Sequence, residues 1–141
     1  MTQARTVVLD NEAVQALADP AHRKHRRVIA VVEAVAARNL RRAGSVRLVV
    51  PTAVRVEACW SRQSPGGATL NRLRVGDDPL DGGAADRAAA VRSALAVSVA
   101  DAHLAATLAV AAGPHAVLTS DAGDVRRIAE HLGVRLTIVT V

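Results

Sequence analysis

Five of the 13 acidic residues stand where carboxylates could act together: Asp10, Glu57, Asp101, Asp121 and Asp124. Asp10 and Asp121 end the short apolar runs "TVVL" and "AVLTS". Such runs read as buried strands. If both strands are parallel and central, both carboxylates reach one rim of a sheet. Helix capping is the competing role, because each Asp precedes a helical pattern, with Asp124 as the far side of a capping box. Asp124 also has Arg127 at i+3 for an ordinary surface ion pair. Glu57, in "PTAVRVEACWS", has Ala53, Val54, Trp60 and Ser61 at helical spacing, and Asp101, in "AVSVADAHLAA", has Val97, Ser98, Leu104 and Ala105. None of these is cationic. Both acids are expected on or beside apolar helix faces, Glu57 in mid-helix and Asp101 near a helix start, where negative charge is favoured. A long-range pair with an Arg is the other reading of Glu57.

A buried carboxylate without a partner is costly, so it neutralises, pairs at long range or holds a metal. Several carboxylates on one rim repel one another. A hard divalent cation, Mg²⁺ or Mn²⁺, resolves that repulsion through oxygen ligands. Such a metal polarises a phosphoryl group and activates water for in-line attack.

The elements that must position these acids follow from the pattern. "TVVLD" (6 to 10) predicts a strand and "NEAVQALAD" a short helix closed before Pro20. Residues 22 to 44 predict a long amphipathic helix with Val28, Val32, Val35 and Ala36 on one face and Gly44 as its stop. "VRLVV" (46 to 50) predicts a second strand, and Pro51 opens a helix through about Arg62. Residues 64 to 83 read as irregular, with a strand in "LNRLRVG". Helices are expected over 84 to 95 and 98 to 113, a strand over 115 to 120, a helix from Asp121 to Gly133 and a last strand in "VRLTIVTV". Strands alternate with helices and are continuously apolar, which predicts a three-layer α/β/α domain with a mostly parallel sheet.

The 141 residues suit one domain, 1–141, and half are hydrophobic, so the chain is not a disordered tail. Phe and Tyr are absent and Trp60 is the only aromatic. The core must therefore be built from small, closely packed Ala and Val side chains. The net charge of +5, carried by Arg with Lys24 as the only lysine, hints at an anionic partner such as nucleic acid. Cys59 is alone, so an internal disulfide is excluded and a reducing compartment fits. The polar start is not expected to act as a signal peptide, and Gly113-Pro114 interrupts the longest apolar stretch. The expectation is a cytoplasmic protein without a membrane span.

The order Asp10, Glu57, Asp101, Asp121, Asp124 resembles the PIN-domain ribonucleases, especially VapC-type toxins of bacterial toxin–antitoxin pairs. The matching segments are "VVLDNEAVQAL", "VVPTAVRVEACW", "SVADAHLAATLAV" and "AVLTSDAGDVRRIAEHLGV". The resemblance covers essentially the whole chain. It implies an α/β/α fold and Mg²⁺- or Mn²⁺-dependent endonucleolytic cleavage of RNA. It also implies homodimers and an antitoxin whose tail can cover the acidic pocket. By position, Asp10, Glu57, Asp101 and Asp121 match the acidic metal-site residues, Asp124 a further and less constant acid, and Thr119 a small hydroxyl residue before the fourth acid. Ser120 stands between Thr119 and Asp121 as a further polar neighbour. The sequence departs from the family at Glu12, where a small residue such as Ser is usual, leaving Asn11 to supply the polar contact. It departs again at Val125, where an aromatic is common. The long Gly-rich segment from Ser64 to Gly83 bears on substrate choice.

"HRKHRR" (22 to 27) places Arg23, Lys24, Arg26 and Arg27 at a helix start, where the macrodipole disfavours cations. They could track RNA phosphates or meet an antitoxin's acidic segment, or form a solvated helix end. His22 and His25 are one turn apart but lack the acid or Cys partners of a zinc site. His103 points to a different helix face from Asp101. His115 and His131 read as structural or exposed, and Cys59 and Trp60 as core or dimer-interface residues. No dinucleotide-binding or P-loop pattern and no Ser–His–Asp arrangement is legible. A phosphoacceptor receiver domain is disfavoured because Lys24 does not follow a strand. The remaining rival is a non-catalytic module that binds RNA or a protein partner on the same fold.

Overall fold

Short aliphatic, β-branched runs supply most of the strands. In the computed structural model, which describes residues 4–41 and 46–141, these are β1 (Thr6–Leu9), β2 (Arg47–Pro51), β3 (Gly76–Asp78), β4 (His115–Thr119) and β5 (Leu136–Thr140). They pair in the order β3-β2-β1-β4-β5, and every pairing is parallel. Helices α1 (Asn11–Ala18) and α2 (His25–Arg41) connect β1 to β2. Helices α3 (Thr52–Glu57) and α4 (Gly67–Arg72) lie between β2 and β3. Helices α5 (Gly82–Ala94) and α6 (Val99–Val110) lead into β4, and α7 (Ala122–Leu132) leads into β5. This is the expected three-layer α/β/α architecture.

Alternation along the strands divides the core in two. Val7, Leu9, Leu48, Val50, Ala116 and Leu118 pack with Val14 and Leu17 of α1, Val28 and Val32 of α2 and Leu70 of α4. Val8, Val49 and Val117 face the other way and pack with Val91 of α5, Leu104 and Leu108 of α6 and Ile128 of α7. Helix α6 is buried over most of its circumference, from Ala100 through Leu108 apart from Asp101. Its alanines permit close approach to the sheet, which is how a core with one aromatic residue is filled. Among the described residues no single helix is long and apolar enough to cross a membrane.

Several elements differ from expectation. The helix expected from residue 22 begins at His25, after a turn in which Asp19 O accepts from the His22 amide and His22 O from the His25 amide. Its expected stop at Gly44 lies outside the described residues. Pro51 ends β2 and does not open a long helix; α3 stops at Glu57, well short of Arg62. Cys59 then takes a left-handed backbone (φ 53°) and is exposed, not part of the core. This reversal seats Trp60 between two guanidinium groups, with Arg55 Cζ 4.8 Å and Arg62 Cζ 5.4 Å from the ring centroid. Both arginines also bind Asp77 of β3, at 2.7 Å from Arg55 Nη1 and 2.9 Å from Arg62 Nη2. Trp60 packs partly against the core, as expected.

"LNRLRVG" is not a strand. Leu70 and Leu73, three apart, are buried at and just beyond the end of α4, and the strand falls on the polar "GDD" of β3, fixed by pairing with β2. Residues 64 to 83 are thus largely ordered.

Fully buried His103 of α6 joins these layers. Its Nδ1 accepts from the Ala53 amide at 3.2 Å, and its Nε2 lies 3.7 Å from Asp78 Oδ2, which also takes the Thr107 hydroxyl. Burial lowers its pKa, with Asp78 opposing. The unfolded chain therefore binds the proton more readily below about pH 6.5, so acidification through that value removes stability until the folded-state pKa is passed. We predict that chemical denaturation of the wild-type protein shows this loss and that His103→Gln shows a smaller one. Equal pH slopes for the two would refute the assignment.

Candidate functional site

The order β3-β2-β1-β4-β5 reverses direction between β1 and β4. Beyond the carboxyl ends of those two strands a crevice opens, the usual ligand position in such sheets. It holds a cavity of about 220 Å³ lined by Asp10, Asn11, Glu12, Gln15, Glu57, Asp101, Thr119, Ser120, Asp121, Asp124 and Val125. All five acids selected from the sequence are there, together with Asn11, Thr119 and Ser120.

The two strand-end aspartates are caps as well as cavity walls. Asp10 Oδ1 accepts from the Ala13 amide at 3.1 Å and starts α1. Asp121 Oδ1 accepts from the Asp124 amide at 3.0 Å and starts α7. Each cap occupies one oxygen of its carboxylate and fixes the group on the rim. Thr119 ties the pair together: its Oγ1 accepts from the Asp121 amide at 2.9 Å, and its hydroxyl hydrogen-bonds Asp10. Ser98 caps α6 through the Asp101 amide, which puts Asp101 in the first turn. Asn11 accepts from Gln15 Nε2 at 2.6 Å, within α1.

Glu57 departs from expectation. It is neither mid-helix nor buried; it is the exposed last residue of α3. Asp101 and Asp124 are half-buried and Asp121 is exposed.

Electrostatics sort the acids into two groups. Burial raises the Asp10 carboxyl pKa, and hydrogen bonds from Thr119, Ala13 and Ser120 hold it down. Asp101 is also raised, first by burial and then by the negative charges of Asp124, Glu57 and Asp10. Among the described residues no cation lies within ion-pair distance of Asp10, Glu57, Asp101 or Asp121, whereas Asp124 pairs with Arg127 at 3.2 Å. Glu12 is held below its ordinary value, chiefly by a bond from Lys24.

Sequence reasoning placed Glu12 only as a departure from a family pattern; the structure puts it in the cavity wall. Its partners His22 and Lys24 reach it across the turn before α2, a contact that no local spacing signals. Lys24 therefore stands at the cavity rim, while Arg23, Arg26 and Arg27 are exposed. His25, one turn from His22, is engaged elsewhere: its Nδ1 bonds Ala16 O at 2.7 Å.

The donor set is wholly oxygen, which suits Mg²⁺ or Mn²⁺, cations that need one or two carboxylates and keep several waters. Among the described residues, no three Asp, Glu, His or Cys side chains are drawn together closely enough to form a ready metal cage.

No family model matches the chain, and no curated protein sequence matches it. Among solved structures, the chain is similar to one in the crystal structure of VapBC2 from Rickettsia felis bound to a DNA fragment from their promoter. The TM-score is 0.60 at 10% identity, over 95% of this chain and 98% of that one. The shared property at that identity is the fold, a PIN-like α/β domain.

Two outcomes are expected of the cavity acids in chelator. Asp101→Asn raises the thermal midpoint, because it removes a carboxylate whose charge is disfavoured there. Asp10→Ala costs about 1 kcal/mol through loss of the α1 cap, whereas Asp10→Asn keeps most of it. A lower midpoint for Asp101→Asn would contradict the electrostatic account.

Proposed function

We propose that this chain is a metal-dependent endoribonuclease of the VapC-like PIN type, the toxin of a bacterial toxin–antitoxin pair. The observation that carries the reading is the convergence of four unpaired carboxylates, Asp10, Glu57, Asp101 and Asp121, on one cavity at the sheet's reversal point. Structural elements far apart in sequence bring them there. A core of packed apolar side chains gains nothing from such convergence, and a hard cation with a phosphodiester ligand explains it.

Asp10, Asp101 and Asp121 would hold the cation, with Glu57 closing the exposed side and Asp124 as a further ligand or support. A divalent cation bound by these carboxylates would supply polarisation of the scissile phosphate and activation of water. Asp10 and Asp121 are oriented by their caps and by Thr119, so their free oxygens need little rearrangement. Ser120 and Asn11 offer hydrogen bonds to the strand. The excess of arginine supplies long-range attraction for RNA. Beside the cavity, and sharing Glu57 with it, lies an apolar groove of about 490 Å³ that includes exposed Val56, Leu80 and Val99. An antitoxin's apolar tail fits that surface, and a homodimer completes the expected assembly.

A second reading, a non-catalytic RNA- or partner-binding module on the same fold, draws support from the lack of a ready three-ligand cage among the described residues. Incubation of a structured RNA pool with partner-free protein distinguishes the two. Cleavage should require Mg²⁺ or Mn²⁺, stop with chelator, and fall by about 10²-fold or more in Asp101→Asn or Asp10→Asn, the scale of losing a charge-stabilising group. RNA binding that weakens with salt but never leads to metal-dependent cleavage would sink the nuclease reading in favour of the binding module.

A further inference from the structure

Two acids in the cavity wall already carry cations, and the two pairs stand on opposite faces of the sheet. On the α1 face, Glu12 Oε1 lies 3.1 Å from Lys24 Nζ and 3.7 Å from His22 Nε2, while its Oε2 accepts from the Ser120 hydroxyl at 3.4 Å. On the α7 face, Asp124 Oδ1 accepts from Arg127 Nη1 at 3.2 Å. Helix α1 packs with Val7 and Leu9, and α7 with Val8 and Val117, so the sheet's carboxyl edge runs between the pairs. A path from Lys24 to Arg127 crosses the cavity walled by Asp10 and Asp121.

Both pairs remain in contact with water: side-chain exposures are 18% and 34% for Lys24 and Glu12, and 49% and 41% for Arg127 and Asp124. Such pairs are weak and exchange partners readily. The cavity holds more carboxylates than one divalent cation neutralises, so the phosphates that flank the cleaved one still meet negative charge, and side-chain cations on either side favour a strand's settling there. Arg offers a bidentate fork to phosphate and Lys a point charge. Displaced Glu12 and Asp124 stay solvated, which keeps the exchange inexpensive. On the α1 side, exposed Arg23, Arg26 and Arg27 extend the positive surface beyond Lys24.

We propose that Lys24 and Arg127 are two phosphate clamps that set the path of single-stranded RNA across the cavity, each parked on a rim acid, Glu12 or Asp124, until the strand takes it over. This inference rests on the ribonuclease reading.

The test measures binding of a short fluorescein-labelled single-stranded RNA by anisotropy, over a salt series with Mn²⁺, in the full chain carrying Asp101→Asn. Lys24→Met and Arg127→Met should each weaken binding roughly three- to tenfold and reduce the salt slope by about 0.7. Their effects should multiply in the double variant. Arg72→Met, which breaks the pair with Glu33 away from the cavity, should leave binding unchanged. Glu12→Gln should tighten binding by freeing Lys24. A purely structural ion pair would instead give the same sign for both partners, and that pattern overturns the proposal. So do clamp variants that bind like Arg72→Met, or a clamp dependence seen with polyglutamate but absent with RNA. A parallel cleavage assay of the unsubstituted protein separates the two levels. Clamp-dependent binding without cleavage keeps the clamps and removes the nuclease, while cleavage with an unchanged KM in Lys24→Met and Arg127→Met does the reverse.

Discussion

Right-handed crossover between parallel strands is the constraint on which this molecule depends. With that hand fixed, the chain that leaves β1 through α1 and α2 covers one face of the sheet, and the chain that leaves β4 through α7 covers the other. The strands that begin these two excursions are neighbours. Where they part, no helix can seal the carboxyl edge, and a crevice is left. Any group placed just after β1 or β4 is delivered to its rim. The site is a by-product of handedness, and its chemistry is decided by what the chain puts at those two corners.

Aspartate is put at both. A carboxylate at a helix start is stabilised by free amides and by the macrodipole, so local folding and the placement of charge reinforce each other at Asp10 and Asp121. The conflict appears only when Asp101 and Glu57 arrive from α6 and α3. Burial and like charge then push the Asp101 pKa upward, and among the described residues no neighbouring cation relieves it. Outside the cavity, by contrast, the half-buried Asp77 receives both Arg55 and Arg62. The contrast marks the cavity as a place where stability is given up.

Much of this was legible in the sequence, for physical reasons that differ by element. β1 and β4 show themselves because both of their faces are buried, so every residue but His115 is apolar or β-branched. The caps at Asp10 and Asp121 and the stop at Gly133, left-handed at φ 67°, are local chemistry and read directly. What local reading misses is decided at a distance. "GDD" has almost no strand propensity and becomes β3 only because β2 offers an open edge. Helix α3 stops at Glu57, although the pattern continues, because the Arg55–Trp60–Arg62 stack with Asp77 requires a turn at Cys59. Glu12 joins the cavity through Lys24, which only the folded turn between α1 and α2 brings within reach.

The stack around Trp60 has a spectroscopic consequence. The chain contains no Tyr and no second Trp, so its near-ultraviolet absorption and emission come from one indole. That indole follows Glu57 by one tight turn and is gripped by guanidinium groups from α3 and from the segment before α4. Movement of the α3 end toward or away from the crevice must alter the distance between ring and cations. The protein thus carries its own single-site optical probe beside one of its exposed cavity acids.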